Sequence, residues 1–90
     1  MTLESKVKIN ENVFLQEVDY ETILLDSETQ EYFSLNEVGT LFYHFLEEHQ
    51  NLEKVLSELN KSFDIDEDQL KKDLFSFVKA LEEKNLLKLF

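Results

Sequence analysis

The side chains of this sequence that could take part in chemistry are its two histidines, its acidic clusters and its hydroxyl groups. His44 and His49 lie five positions apart, a spacing that does not align two side chains on one face of a helix. A structural zinc site needs four converging ligands, and the sequence contains no cysteine. The lack of cysteine also excludes disulfides and thiolate catalysis. We therefore expect no metal site and no cofactor.

The acidic clusters are Glu47-Glu48, the acids of residues 64–68 and Glu82-Glu83. They lack the glycine and the spacing of a calcium-binding loop. Charge runs of this kind are usually solvated helix faces or helix starts. The sequence also has no glycine-rich phosphate loop and no convincing Ser/His/Asp arrangement. These features predict a binding protein rather than an enzyme.

Charge is distributed unevenly along the 90 residues. The chain has 20 acidic residues against 9 lysines and no arginine, and its formal net charge is -11. No lysine lies between Lys8 and Lys54, whereas the same span holds eleven acidic residues. An anionic surface repels phosphate backbones, and arginine is the side chain best suited to bidentate contacts with guanine or phosphate. The distribution therefore argues against nucleic-acid binding.

Length and hydropathy indicate one soluble domain covering residues 1–90. The sequence has no apolar run of the roughly 18 residues that a membrane span requires. Its first residues also lack the apolar stretch of a signal peptide. We expect a cytoplasmic protein that does not bind membranes.

The first half of the chain predicts three short strands, at residues 13–18, 21–26 and 31–35. Each is rich in β-forming residues, and short polar connections separate them, which is typical of an antiparallel meander. Residues 1–12 form a polar lead-in with a weak apolar pattern, which either pairs or stays loose.

Three helices are predicted after the sheet, beginning around residues 34–36, 51 and 66. Ser34 with Glu37 fits a capping box for the first helix, and Asn36 is an alternative cap. Gly39 is the only glycine and lies inside this helix, which predicts close packing against the sheet or another helix. The apolar tail, residues 86–90, either packs on the core or forms a short extra strand.

An aromatic side chain lies outside the apolar stripe of the third helix. Phe75 falls on the flank shared with Lys71 and, at its inner margin, Val78, when residues are placed at about 100° per position. It either widens the core or lines a groove beside the sheet. The strand at residues 31–35 would have an open edge that can accept an added strand. Lysines of this helix, Lys71, Lys72 and Lys79, would favour an acidic peptide.

The run at residues 16–39, QEVDYETILLDSETQEYFSLNEVG, resembles the signature of the PqqD family. The family's pattern continues downstream, and the resemblance covers roughly residues 7–88. The matching downstream positions are Leu70, Asp73, Leu74, Phe77, Val78, Leu81, Leu86 and Leu87. The chain departs from the family at Tyr20 and at Thr29-Gln30, where glycine is common. The matching positions of the hairpin and first helix are Glu21, Leu24, Leu25, Asp26, Tyr32, Phe33, Leu35, Asn36 and Gly39.

The resemblance implies an α+β fold, winged helix-turn-helix-like, with a three-stranded antiparallel sheet followed by three helices. It implies a non-catalytic protein that binds the leader region of a ribosomally synthesised precursor peptide. The leader would add to the third strand beside the third helix and be presented to a radical SAM enzyme, a cyclase or a leader peptidase. The small stand-alone chain favours the lasso-peptide pathway. The expected contact residues are Glu31, Tyr32, Phe33, Ser34, Leu35, Lys71, Leu74, Phe75 and Val78.

Two other functions fit the predicted fold. A winged-helix DNA-binding regulator would need a basic recognition helix, and the lysines of the third helix are offset by Asp73, Glu82 and Glu83. A structural adaptor would bind an enzyme complex through its helical face and leave the strand edge unused. The sequence also leaves open a homodimer formed through that edge.

Overall fold

The computed structural model describes residues 1–19 and 21–90, so Tyr20 lies outside the described residues. The fold is α+β, and a three-stranded antiparallel sheet is followed by three helices, as the sequence predicts. The elements in chain order are β1 (Val7–Ile9), β2 (Val13–Val18), β3 (Glu21–Asp26), β4 (Tyr32–Leu35), α1 (Glu37–His49), α2 (Leu52–Ser62), α3 (Glu67–Glu83) and β5 (Leu87–Leu89).

Strands β2, β3 and β4 form an antiparallel sheet in that order. Its register aligns Leu15 with Leu24 and Leu24 with Phe33, so these three side chains share the face directed at the helices. Successive side chains of a strand alternate between the two faces. The opposite face, called here the outer face, therefore carries the row Phe14, Leu25 and Tyr32.

The lead-in and the tail of the chain pair with each other. Strand β1 is antiparallel to β5, with Val7 opposite Leu89 and Ile9 opposite Leu87. Val7 is fully buried and Leu87 is nearly so, because this two-stranded sheet covers the helical core. Of the alternatives left open by the sequence, the lead-in therefore pairs and the tail forms an extra strand.

The start of α1 fixes its position relative to β4. Asn36 is the cap, and its side-chain oxygen accepts a hydrogen bond of 2.7 Å from the backbone N–H of Gly39. A Cβ atom at Gly39 would lie 3.3 Å from Cε1 of Phe77 and 3.5 Å from Cδ2 of Leu35. Glycine thus allows α1 to approach both α3 and the sheet, which confirms the predicted close packing.

The turn between β3 and β4 is held by a buried carboxylate. Asp26 is 5% exposed, and its Oδ1 accepts hydrogen bonds from Asn12 Nδ2 at 2.6 Å and from the backbone N–H groups of Glu28 and Thr29 at 2.9 and 3.3 Å. Burial alone would raise the pKa of Asp26, but these hydrogen bonds outweigh it and hold the pKa below its ordinary value of 3.8.

We expect Asp26→Asn to lower the urea midpoint of unfolding at pH 7, because a neutral amide accepts these hydrogen bonds less strongly than a carboxylate. The lowered pKa means that the carboxylate stabilises the fold above pH 3.8. This stabilisation disappears as the pH falls through the pKa of the folded state. The parent and Asp26→Asn should therefore converge in acid. The exposed Asp64→Asn serves as control, and a difference for Asp26→Asn that persists unchanged at acidic pH would contradict the assignment.

Gln30 lies in this turn with a φ of 62°, a left-handed conformation that favours glycine. We expect Gln30→Gly to stabilise the protein by about 1 kcal/mol, since the left-handed region costs a residue with a Cβ atom about that much. The same substitution at Gln16, inside β2, should instead destabilise by about 0.5–1 kcal/mol. Chemical denaturation measures the change in the free energy of unfolding for both variants. If Gln30→Gly also destabilised the protein, backbone strain at Gln30 would be negligible.

Candidate peptide-binding edge and cleft

Strand β4 ends the β2-β3-β4 sheet, and on its other side it pairs with no strand of the described residues. The backbone N–H of Asp26 donates to the carbonyl of Glu31 at 2.9 Å. In an antiparallel pair the hydrogen-bonded positions alternate, so Phe33 and Leu35 bond to β3. The N–H and C=O groups of Tyr32 and Ser34 consequently point away from the sheet. These four groups, called here the β4 edge, can bind the backbone of an extended peptide.

A cleft of about 260 Å³ lies beside this edge. It is formed where β4, the start of α1 and the middle of α3 meet, and we call it the β4–α3 cleft. Most of its lining is apolar or aromatic, while the exposed edge strand contributes backbone groups. The lining residues are Phe33, Ser34, Leu35, Asn36, Val38, Gly39, Phe42, Asp73 and Phe77.

Phe77 is the main contribution of α3 to the cleft. Its ring packs edge-to-face on Phe42, with centroids 5.5 Å apart and planes at 88°, and it is half-buried. Val38, on the facing helix, is 47% exposed. The cleft therefore presents partly exposed apolar side chains that an inserted apolar side chain could cover.

A second, smaller depression continues along β4 from the first. It is lined by Asp26, Glu31, Tyr32, Phe33, Lys84 and Leu86. Phe33 lines both depressions, but the second has a volume of only about 10 Å³, which is too small for a side chain. Three residues line the α3 side of the site. Asp73 and Phe77 line the first depression, and Lys84, which directly follows the helix, lines the second.

The charged groups of the site are fixed to different degrees. Oδ1 of Asp73 accepts a hydrogen bond of 2.9 Å from Nε2 of Gln69, one helical turn earlier. Lys84 follows the helix and lies in the same depression as Glu31. A bound peptide would therefore meet a negative group in the first depression and groups of both signs in the second.

The structure corrects the predicted position of Phe75 and Lys71. Their side chains contact each other, with Lys71 Nζ 5.6 Å from the centroid of the Phe75 ring. Both line a depression with residues 1–4 instead of the cleft beside β4. Phe75 and Phe77 are two positions apart, which is about 200° around a helix, so only one of them can face β4.

Leu74 and Val78 form the core beneath the site. Both side chains are 0% exposed, so they support α3 without offering surface to a peptide. Of the residues predicted from the sequence, Glu31 to Leu35 are brought together at the site. Asp73, Phe77 and Lys84 were missed there, although Gly39 signals a close approach whose partner proves to be Phe77.

Among the described residues there is no group of three or more His, Cys, Asp or Glu side chains that could hold a metal ion. In the same part of the chain, no helix is long and apolar enough to cross a membrane.

The fold and the site together define a winged-helix-like domain with an open strand edge beside an apolar cleft, a geometry suited to strand addition. The model of the family described as Coenzyme PQQ synthesis protein D (PqqD) matches residues 21–87. The chain belongs to the PqqD family.

Two solved structures are similar to this chain. The first, TbiB1 in complex with the TbiA(beta) leader peptide, shares 32% identity with a TM-score of 0.81 and covers 90% of this chain and 94% of its own. The second, lasso peptide synthetase B1 complexed with the leader peptide, shares 20% identity with a TM-score of 0.81, covering 92% and 98%. The second shows likeness of fold alone. No curated protein matches the chain significantly.

Proposed function

We propose that this protein binds the leader region of a ribosomally synthesised precursor peptide as an added strand on the β4 edge, without catalysing a reaction itself. The open edge of β4, with the β4–α3 cleft beside it, is the observation that carries the proposal. The likeness to TbiB1, whose structure contains a leader peptide, supports it.

The site divides binding between backbone and side chains. Tyr32 and Ser34 supply backbone hydrogen bonds, which give affinity for any extended peptide. Side chains that alternate along the peptide face the helices, where one of them enters the β4–α3 cleft and the next packs over Phe33 and the shallow depression beyond it. Phe77 replaces Phe75 as the aromatic contact from α3, so apolar side chains at alternating positions are the expected leader feature.

The partner that acts on the bound leader is a separate enzyme. Among a leader peptidase, a cyclase and a radical SAM enzyme, we propose a leader peptidase of a lasso-peptide pathway. The small stand-alone chain favours that pathway, and the structure of TbiB1, which is 32% identical, contains a leader peptide. The protein then works in the cytoplasm, where ribosomal precursors are made.

Amide hydrogen exchange tests the binding mode directly. We expect the leader of the precursor encoded in the same gene cluster to slow exchange strongly at Tyr32 and Ser34. The amides of Phe33 and Leu35 already bond to β3 and should change little. Leader binding that leaves Tyr32 and Ser34 unprotected would exclude strand addition, and a lack of binding at high peptide concentration would exclude the function.

A further inference from the structure

The outer face of the β2-β3-β4 sheet exposes a cluster of large apolar side chains. Phe14 is 52% exposed, Val18 50% and Tyr32 69%. The register places Phe14, Leu25 and Tyr32 in one row across all three strands. Exposed apolar clusters rich in aromatic residues are typical of protein–protein contact surfaces.

The other described positions of this face carry no positively charged side chain. The next row is Gln16, Ile23 and Ser34, and the third row contains Val18 and Glu21. Ile23 and Leu25 are half-buried between their neighbours. The sheet and its connecting turns carry acidic residues but no lysine or arginine.

The outer face adjoins the proposed peptide site. A strand added at β4 would lie next to Tyr32 and Ser34, whose side chains belong to the outer face. A protein covering the face would therefore stand beside the bound leader. The helices cannot cover this face, since they pack against the opposite face, where Leu24 is fully buried.

We infer that the outer face is the docking surface for the enzyme that acts on the bound leader. The enzyme would present an apolar patch flanked by lysine or arginine side chains, complementary to this apolar face, to Glu21 on it and to the acidic residues of the connecting turns. This inference rests on the proposed function. A second copy of the chain is disfavoured as the occupant, because two chains with net charges of -11 repel each other.

Two substitutions on β2 test the inference at a distance from the β4 edge. Phe14→Thr and Val18→Thr remove apolar surface and keep a residue that favours strands. Ile65→Thr is the matched control, since Ile65 is 47% exposed outside the sheet. The probe is the purified leader peptidase encoded in the same gene cluster, with binding measured by biolayer interferometry.

We expect each β2 variant to bind the peptidase at least 10-fold more weakly than the parent, and Ile65→Thr to bind it like the parent. Affinity of the parent should also fall as salt concentration rises. Unchanged peptidase binding by both β2 variants would overturn the inference. So would a homodimer in sedimentation that Phe14→Thr disrupts while peptidase binding persists.

Leader binding separates this test from that of the proposed function. Labelled leader should bind Phe14→Thr and Val18→Thr within about 2-fold of the parent, because β4 and the cleft are intact. Normal leader binding with normal peptidase binding would overturn only the docking surface. A parent that binds no leader would overturn the proposed function, and with it this inference.

Discussion

Replacing Ser34 with proline should reduce leader affinity by about 10- to 100-fold while preserving the fold. Proline removes the backbone N–H that Ser34 directs away from the sheet, and its ring occupies the space where an added strand would lie. The loss of one hydrogen bond costs about 1 kcal/mol, and steric exclusion of the strand adds to it. A tenfold change corresponds to about 1.4 kcal/mol.

Fluorescence anisotropy with labelled leader peptide measures the effect, and Ser34→Ala is the matched control. The alanine variant loses the hydroxyl group but keeps the N–H, so it should bind the leader within about 2-fold of the parent. Thermal unfolding checks that Ser34→Pro is folded, as edge strands tolerate proline where the N–H faces outward. A folded Ser34→Pro variant with parental affinity would show that the leader does not add to β4.

Local patterns in the sequence are sufficient to predict most of the secondary structure. The predicted strands at residues 13–18 and 21–26 coincide with β2 and β3, because β-forming residues and polar turns mark their ends. The third predicted strand begins one residue late in the structure, at Tyr32. These elements depend on neighbours close in sequence, so propensity and periodicity predict them.

Pairing between distant segments is less predictable. Strands β1 and β5 have three residues each and lie at opposite ends of the chain. Three residues are too few for a clear alternation pattern, and neither strand has a partner nearby in sequence. Their pairing arises because the helical core needs cover at Val7 and Leu87, both buried there.

The candidate site shows a related limit. An open third strand follows from a meander, so residues 31–35 could be placed at the edge from the sequence. Which flank of α3 turns toward that edge depends on how the helix packs, and periodicity alone does not determine it. Phe77 fits the apolar stripe of a core helix, and Phe75 stands outside it. The structure places the half-buried margin of the stripe, at Phe77, beside β4.

Phe77→Ala and Phe75→Ala therefore form a matched pair, of which only the first should weaken leader binding. Both remove the same side chain from α3, and both rings are half-buried. Phe77→Ala should weaken leader binding by about 10-fold or more, since an apolar contact of this size contributes about 1.5–3 kcal/mol. Phe75→Ala should leave affinity within about 2-fold, because its ring contacts Lys71 at the depression formed with residues 1–4.

Stability must be measured beside affinity, because Phe77 also packs on Phe42. Removing its half-buried ring should destabilise the fold by about 3 kcal/mol, the lower end of the range for Phe→Ala. Phe77→Leu keeps an apolar side chain of similar reach, so it should recover much of the stability and part of the affinity. Titrations below the unfolding temperature of each variant then report on the cleft itself. Greater loss of leader binding from Phe75→Ala than from Phe77→Ala would move the peptide to the opposite flank of α3, where strand addition to β4 could not bring it.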